Sequence, residues 1–385
     1  MKRREFLQHT AGFAALVSVL RAQGGPAIQA SPKLKAAIIG HTGRGNYGHG
    51  LDLLFAGQPA IEVVAVADPD SAGRAKALQR TGARRGYADY REMLDRERPQ
   101  LVSVAPRWTD QHHAMVSAAL AAGAHVYCEK PIARTLAEAD ELLLLAERAG
   151  RKMTVAHQSR LAPSTLHFKR RLDDGLIGEL LEIRVHGKQD KRAGGEDLVV
   201  LGTHQFDLVR FFAGEPLWCS ARVLQGGREI TPADAHAATE DIGPIAGDEI
   251  EAMFALPRGV NVHYTSRART AVVAGPWGME FTGSRGVARL LHDAYPRTLL
   301  RHGDEWRPLG DDPTAAASAN ERSMAAGNRR LVDDWLAAIA ENREPVCSGR
   351  AAMQALEMIH AIFAAGLSRG RVELPLKNRR HPLAG

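Results

Sequence analysis

Between Lys33 and Ala156, short apolar runs alternate with helical stretches, and most runs stop at a residue that ends a strand. Residues 35–39 run into Gly40, 61–67 into Asp68-Pro69, 101–105 into Pro106 and 125–128 into Glu129-Lys130-Pro131, with 152–156 closing the series. Short unbroken apolar runs mark strands covered on both faces, and helical spacers between them imply parallel pairing. Proline lacks a ladder donor and biases the residue before it towards extended geometry. The pattern predicts a doubly wound parallel sheet. Right-handed crossovers then bring Gly40, Asp68, Pro106 and Lys130 to one edge, the carboxyl edge at which open α/β sheets bind ligands.

The turn after the first strand reads Gly40-His41-Thr42-Gly43-Arg44-Gly45-Asn46-Tyr47-Gly48. Its glycines allow a tight turn and close approach to a pyrophosphate, and the spacing Leu51, Leu53, Leu54, Phe55 predicts a helix just beyond. Two registers are open: Gly43-x-Gly45-x-x-Gly48 matches the dinucleotide fingerprint literally, whereas Gly40-x-Thr42-x-x-Gly45 fits better counted from the strand end. Asp68 lies where a carboxylate bonds the adenosine ribose hydroxyls and repels a 2′-phosphate, which favours NAD over NADP. The same residue, preceding a helical run, also suits an N-cap. Lys130 ends its strand beside Glu129. An exposed ion pair there would be unremarked surface; a partly buried one would give an ammonium able to move a proton.

Beyond residue 156 extended runs outnumber helices, which predicts a second domain with a mainly antiparallel sheet. Helices are expected at 163–174, at 204–212 with His204 in the first turn, at 325–339 and at 351–367; 226–247 and 305–320 read as loops. The expected division is therefore 1–30, 33–156, 157–376 and a basic tail, 377–385, read as solvated. The 385 residues are 45% hydrophobic and 24% charged, which excludes a wholly disordered chain. Half of the +6 net charge sits before residue 23, and no basic face is interleaved with aromatics, so nucleic acid is not an expected partner. Cys128, Cys219 and Cys347 show neither metal spacing nor an even count for a disulfide framework, and no metal is expected.

The start, Lys2-Arg3-Arg4-Glu5-Phe6-Leu7 followed by a short apolar stretch to Leu20, resembles a twin-arginine export signal, with cleavage between Ala22 and Ser31. The stretch is too short for a stable membrane span. Export through that route implies a periplasmic protein that holds its nucleotide through many turnovers.

Taken together, the glycine turn, Asp68, His113-Ala114, Cys128-Glu129-Lys130-Pro131, Gly202-Thr203-His204-Gln205-Phe206-Asp207 and the closing Arg371–Leu376 segment resemble the Gfo/Idh/MocA family. That resemblance covers nearly all of 33–376. It implies an N-terminal Rossmann domain, a C-terminal α/β domain on an open, mainly antiparallel sheet, a homo-oligomer, and NAD(P)-dependent oxidation or reduction of a hydroxyl or carbonyl on a sugar, cyclitol or derivative. Gly40, Thr42, Gly43, Arg44, Gly45, Asp68, Pro106, His113, Glu129 and Lys130 become the cofactor-binding candidates, and Lys130 and His204 the catalytic pair. Secondary substrate candidates are Arg107, Trp108, Arg160, His186, Lys188 and Asp197. Where many relatives carry an Asp four residues before the His, this chain has Val200; Asp197 or Asp207 is the candidate replacement. That departure keeps two alternatives open: oxidation, elimination and re-reduction that cleaves a glycoside, and a secreted sugar-binding relative without catalysis.

Overall fold

The computed structural model describes residues 32–268, 277–291, 296–312 and 317–384; the export signal and its cleavage site lie outside them. The first sheet has six strands, all parallel: β1 (Leu34–Ile39), β2 (Ile61–Ala67), β3 (Arg85–Tyr87), β4 (Leu101–Val104), β5 (His125–Cys128) and β6 (Met153–Val155). Their order, β3-β2-β1-β4-β5-β6, reverses direction between β1 and β4, and that reversal opens a crevice at the carboxyl ends. Helices α1 (Ser71–Thr81), α2 (Tyr90–Glu97), α3 (His112–Ala121) and α4 (Leu136–Ala149) fill the crossovers. Strand periodicity sends Ala36 and Ile38 into one core and Ala37 and Ile39 into the other.

No regular helix joins β1 to β2. Residues 40–60 form successive turns, closed by Leu51 N–H to Tyr47 O and by Leu53 N–H to Gly50 O. Gly48, Gly50 and Gly57 take φ values of 55°, 79° and 75°, which interrupt helical geometry. The apolar spacing is nonetheless used: Leu51, Leu54 and Phe55 are buried against β1 and against α8 (Met324–Ala340), whose Leu331, Val332 and Trp335 belong to the same core.

From residue 163 the chain builds α5 (Pro163–Asp173), β7 (Leu180–His186), α6 (Gly195–Val200), α7 (Gly202–Ala213), β8 (Trp218–Gln225), the two-residue strands β9 (Arg228–Glu229), β10 (His236–Ala237) and β11 (Pro244–Ile245), then β12 (Glu249–Ala255), β13 (Asn261–Arg267), β14 (Gly278–Gly283), β15 (Val287–Leu291), β16 (Arg297–His302), β17 (Glu305–Pro308), α8, α9 (Gly349–Ser368) and β18 (Val372–Glu373). Ten of these strands form one sheet along the path β17-β16-β15-β14-β7-β13-β12-β8-β18, with β9 on β8. All its pairings are antiparallel except β7 with β13. β17 and the short strands β9–β11 occupy stretches expected to be loops. The apolar helix α9 is a core helix, packed on β8, α7 and α4.

The basic tail is docked rather than solvated. The Arg379 guanidinium pairs with Asp140 on α4 and with Glu357 on α9, while His381 and Leu383 are buried at 4% and 3% exposure. His381 stacks edge-on against His360 at 4.5 Å between centroids. Burial pushes His381 down to about 4 and His360 well below its ordinary value. Burial does the same to His125 and His157, each to about 4. These rings stay neutral in the folded chain where the unfolded chain protonates near pH 6.5, so stability is full above pH 6.5 and falls as pH drops from there towards 4. Asp197, pushed up to about 6 by burial, opposes the trend as a single group. Urea unfolding between pH 7 and 5 should show decreasing stability, and His381→Gln should flatten the slope by up to about 1.4 kcal/mol per pH unit. An unchanged slope would mean that the ring protonates in the folded state.

Candidate active site

The carboxyl edge of the parallel sheet carries two cavities. The larger, about 550 Å³, is lined among others by His49, Arg107, Lys130, Gln158, Lys188, Val200, His204 and Glu240. The smaller, about 220 Å³, lies between the ends of β1 and β2, the start of α2 and the start of α3, with Gly40, His41, Asp68, Tyr90 and Met115 in its wall. The glycine turn contributes to the smaller, and His49, just beyond the turn, to the larger.

Lys130 is the residue the larger cleft is built around. β5 ends at Cys128; Glu129 behind it is fully buried, and Lys130, only 4% exposed, enters the cleft wall. Its ammonium donates to the Val200 carbonyl at 3.3 Å. Burial pushes its pKa down; Glu129 and Glu240 pull it up, and Arg107 and Lys188 push it down further. Glu129 is fully buried and accepts from the His49 backbone N–H at 3.1 Å and from the Lys130 N–H at 3.0 Å, with His49 Nδ1 at 2.9 Å. Burial alone would raise the Glu129 carboxyl, but His49 and Lys130 outweigh it and hold it at about 2. Glu129 therefore stays ionised and faces the turn. The expected cofactor contact at this residue is taken by His49.

The first turn of α7 brings His204 into the same cleft, from a segment more than seventy residues downstream of Lys130. Val200, at the end of α6, offers only its backbone carbonyl to the site. Both proposed replacement acids are held by other residues. Asp197 is 2% exposed and accepts from Ser266 Oγ and the Lys188 N–H, each at 3.1 Å. Asp207 is held by Arg160 in a bidentate pair at 2.8 and 2.6 Å. Asp207 also lies 3.7 Å from His157 Nδ1, and the His157 ring meets the His204 ring edge-on at 5.3 Å. The buried His157 imidazole thus touches both the carboxylate and the His204 ring.

Several expected contacts are committed inside the protein. The Asp68 carboxylate is fully buried and accepts from Thr42 Oγ1 at 2.7 Å, Tyr47 Oη at 2.8 Å, the Asp70 N–H at 3.0 Å and the Thr42 N–H at 3.2 Å. It anchors the turn, where a ribose contact was expected, and the N-cap of α1 is Asp70. Thr42 is occupied by the same network. Arg44 pairs with Asp110 at 2.6 Å and Asp241 at 3.1 Å and lies over the Trp108 ring. Gly40 is packed by the Tyr47 ring, and Gly45 by the backbone of Arg107 and Trp108, closer than a Cβ would allow. Gly43, at φ 87°, faces open space. His113 points outward to Glu141 at 2.9 Å; its neighbour His112 is the buried one, with ring nitrogens 2.7 Å from the Pro106 carbonyl and 2.8 Å from the Pro131 carbonyl. Arg160, His186 and Asp197 do not line the cleft and Trp108 lines a neighbouring cavity, whereas Arg107 and Lys188 do line it.

Sequence reasoning missed His49, Glu240, Arg192, Trp277, Arg322 and Arg330, all in the cleft wall. His49, adjoining the glycine turn, carried a usable signal. The others come from loops and from the start of α8, and only chain folding brings them near Lys130.

The residues fit a nicotinamide dinucleotide in outline. A slot with apolar members lies at the β1–β2 end, Gly43 leaves its side of the turn bare, and a buried ammonium shares a cleft with an imidazole at the other end. Asp68 departs from that fit, because its oxygens are already satisfied.

Residues 34–157 match the oxidoreductase family, NAD-binding Rossmann fold, and residues 169–374 match the oxidoreductase family, C-terminal alpha/beta domain. The chain is 28% identical to D-apiose dehydrogenase of Paraburkholderia graminis over 323 residues, covering 81% of this chain and 83% of that protein. It is 24% identical to myo-inositol 2-dehydrogenase of Thermotoga maritima over 235 residues, 59% and 66% of the two chains. Levoglucosan dehydrogenase in complex with NADH and levoglucosan shares the fold at a TM-score of 0.71 and 20% identity, over 89% of this chain and 100% of that one.

The Asp68 network makes a distinguishing prediction. Asp68→Ala strands buried donors on Thr42, Tyr47 and Asp70, so unfolding free energy should fall by about 3 kcal/mol, with NADH affinity falling because the turn loosens. Loss of NADH affinity at unchanged stability would instead make Asp68 a direct ribose ligand.

Proposed function

Because the chain belongs to the Gfo/Idh/MocA oxidoreductase family, we propose that it moves a hydride between NAD and a hydroxyl or carbonyl carbon of a sugar, cyclitol or derivative in the larger cleft. The observation that carries this reading is the buried ammonium of Lys130 in one cleft with His204. Bound nicotinamide would supply the hydride acceptor or donor. The chain's own residues then have to bind the sugar, exclude water and manage one proton at the reacting oxygen.

Lys130 suits that proton because burial and the cations beside it lower its pKa from the ordinary lysine value. As a cation it also stabilises negative charge developing on the oxygen. His204, in the same cleft, is the second proton-handling group. Glu129 and His49 fix the Lys130 backbone. The Gly43 turn and the smaller cavity would hold the dinucleotide, and the buried negative charge of Asp68 disfavours a 2′-phosphate, so NAD is the proposed form. The relatives named as dehydrogenases of apiose and inositol support a carbohydrate substrate.

Lys130→Ala should lower kcat by about 10²–10⁴-fold while NADH still quenches protein fluorescence. Full turnover in that variant would remove Lys130 from the chemistry. His204→Asn is expected to lose about 10²-fold or more.

The basic, apolar start supports export of the folded, cofactor-loaded protein, with NAD retained through turnover. Protein purified from the periplasmic fraction and denatured should release NAD, and replacing Arg3 and Arg4 by Lys should leave the protein in the cytoplasm. Periplasmic delivery of the Lys variant would overturn the route.

A further inference from the structure

The larger cleft carries more positive charge than handling a neutral sugar requires. Arg107, Lys130, Lys188, Arg192, Arg322 and Arg330 line it, against a single lining carboxylate among the described residues, Glu240. Arg107 pairs with Glu240 at 3.2 Å and Arg192 with Asp190 at 3.5 Å. Lys188 sits 5.3 Å from the centroid of the Trp277 ring, and among the described residues no carboxylate pairs with it or with Arg322. They come from different walls. Lys188 follows β7, and Arg322 precedes α8. The crowding is felt at Lys130, whose ammonium is disfavoured by both Arg107 and Lys188.

Like charges held together in a partly dry cleft repel, and a cleft lined by one sign of charge concentrates the opposite ion. An aromatic ring beside Lys188 adds an apolar face of the kind a sugar ring stacks on. We infer that the cleft selects a sugar substrate carrying a fixed negative charge, a carboxylate or a phosphate ester, gripped by Lys188 and Arg322. The inference rests on the proposed function in taking the substrate to be a sugar.

The test is calorimetry on the full chain saturated with NADH at low salt, titrated with D-glucuronate, D-gluconate and D-glucose 6-phosphate, each against D-glucose. At least one anionic sugar should bind about tenfold more tightly than D-glucose, with the advantage shrinking at high salt. Which of the three wins separates carboxylate from phosphate. Lys188→Gln and Arg322→Gln should each weaken the anionic sugar about three- to tenfold and leave NADH affinity unchanged. Equal binding of the charged and neutral sugars overturns the inference. So do variants that weaken NADH in place of the sugar, since the cations would then serve the cofactor's phosphates. If NADH itself fails to bind, the proposed function falls, and the same titrations on the protein alone still decide the preference for charge.

Discussion

The structure depends on the burial of one ammonium group. Removing Lys130 from water is costly, and attraction to neighbouring charge recovers that only with good geometry. Here the compensation arrives from three parts of the chain: Glu129 beside it on β5's end, the Val200 carbonyl at the end of α6, and Glu240 from the loop between β10 and β11. Each comes from a different element, so keeping Lys130 solvated by protein holds the parallel sheet and the large mixed sheet in a fixed relation. The residual cost appears as a lowered pKa, which is the property the proposed chemistry uses.

A second buried charge stiffens the opposite end of the same edge. Asp68 draws Thr42, Tyr47 and the start of α1 into one network, and the turn it anchors has no regular helix behind it. A turn made rigid by a carboxylate and by close glycine packing needs less support from a helix N-terminus. Asn328 at the start of α8 completes the brace: it donates to the His49 carbonyl at 3.1 Å and accepts from Gln158 at 2.6 Å. A helix from the end of the chain thereby fixes the turn at its beginning.

The tail has a parallel role at the other face. Arg379 ties α4 of the first sheet's layer to α9 of the second, and His381 seals the junction by remaining neutral. Both lobes are thus clamped twice, once at the cleft and once behind it.

The sequence by itself determined the two sheets, the edge at which Lys130 emerges and the helix turn that carries His204, because period-2 and period-3.6 apolar patterns and strand-ending prolines are local properties. The spacing of Leu51, Leu53, Leu54 and Phe55 predicted a helix, but the stretch coils through glycine turns, burying Leu51, Leu54 and Phe55 and leaving Leu53 exposed, since apolar spacing alone does not report φ. Only tertiary structure decided what each polar group faces. Asp68 turned inward because four donors met it there, and His112 displaced His113 because one ring fell between two carbonyls. Asp197 and Asp207 are held by Ser266 and Arg160. The cationic cleft wall, with Lys188 and Arg322 more than a hundred residues apart, was equally invisible, because partners at long sequence separation are set by how the lobes pack and leave no periodic trace in the chain.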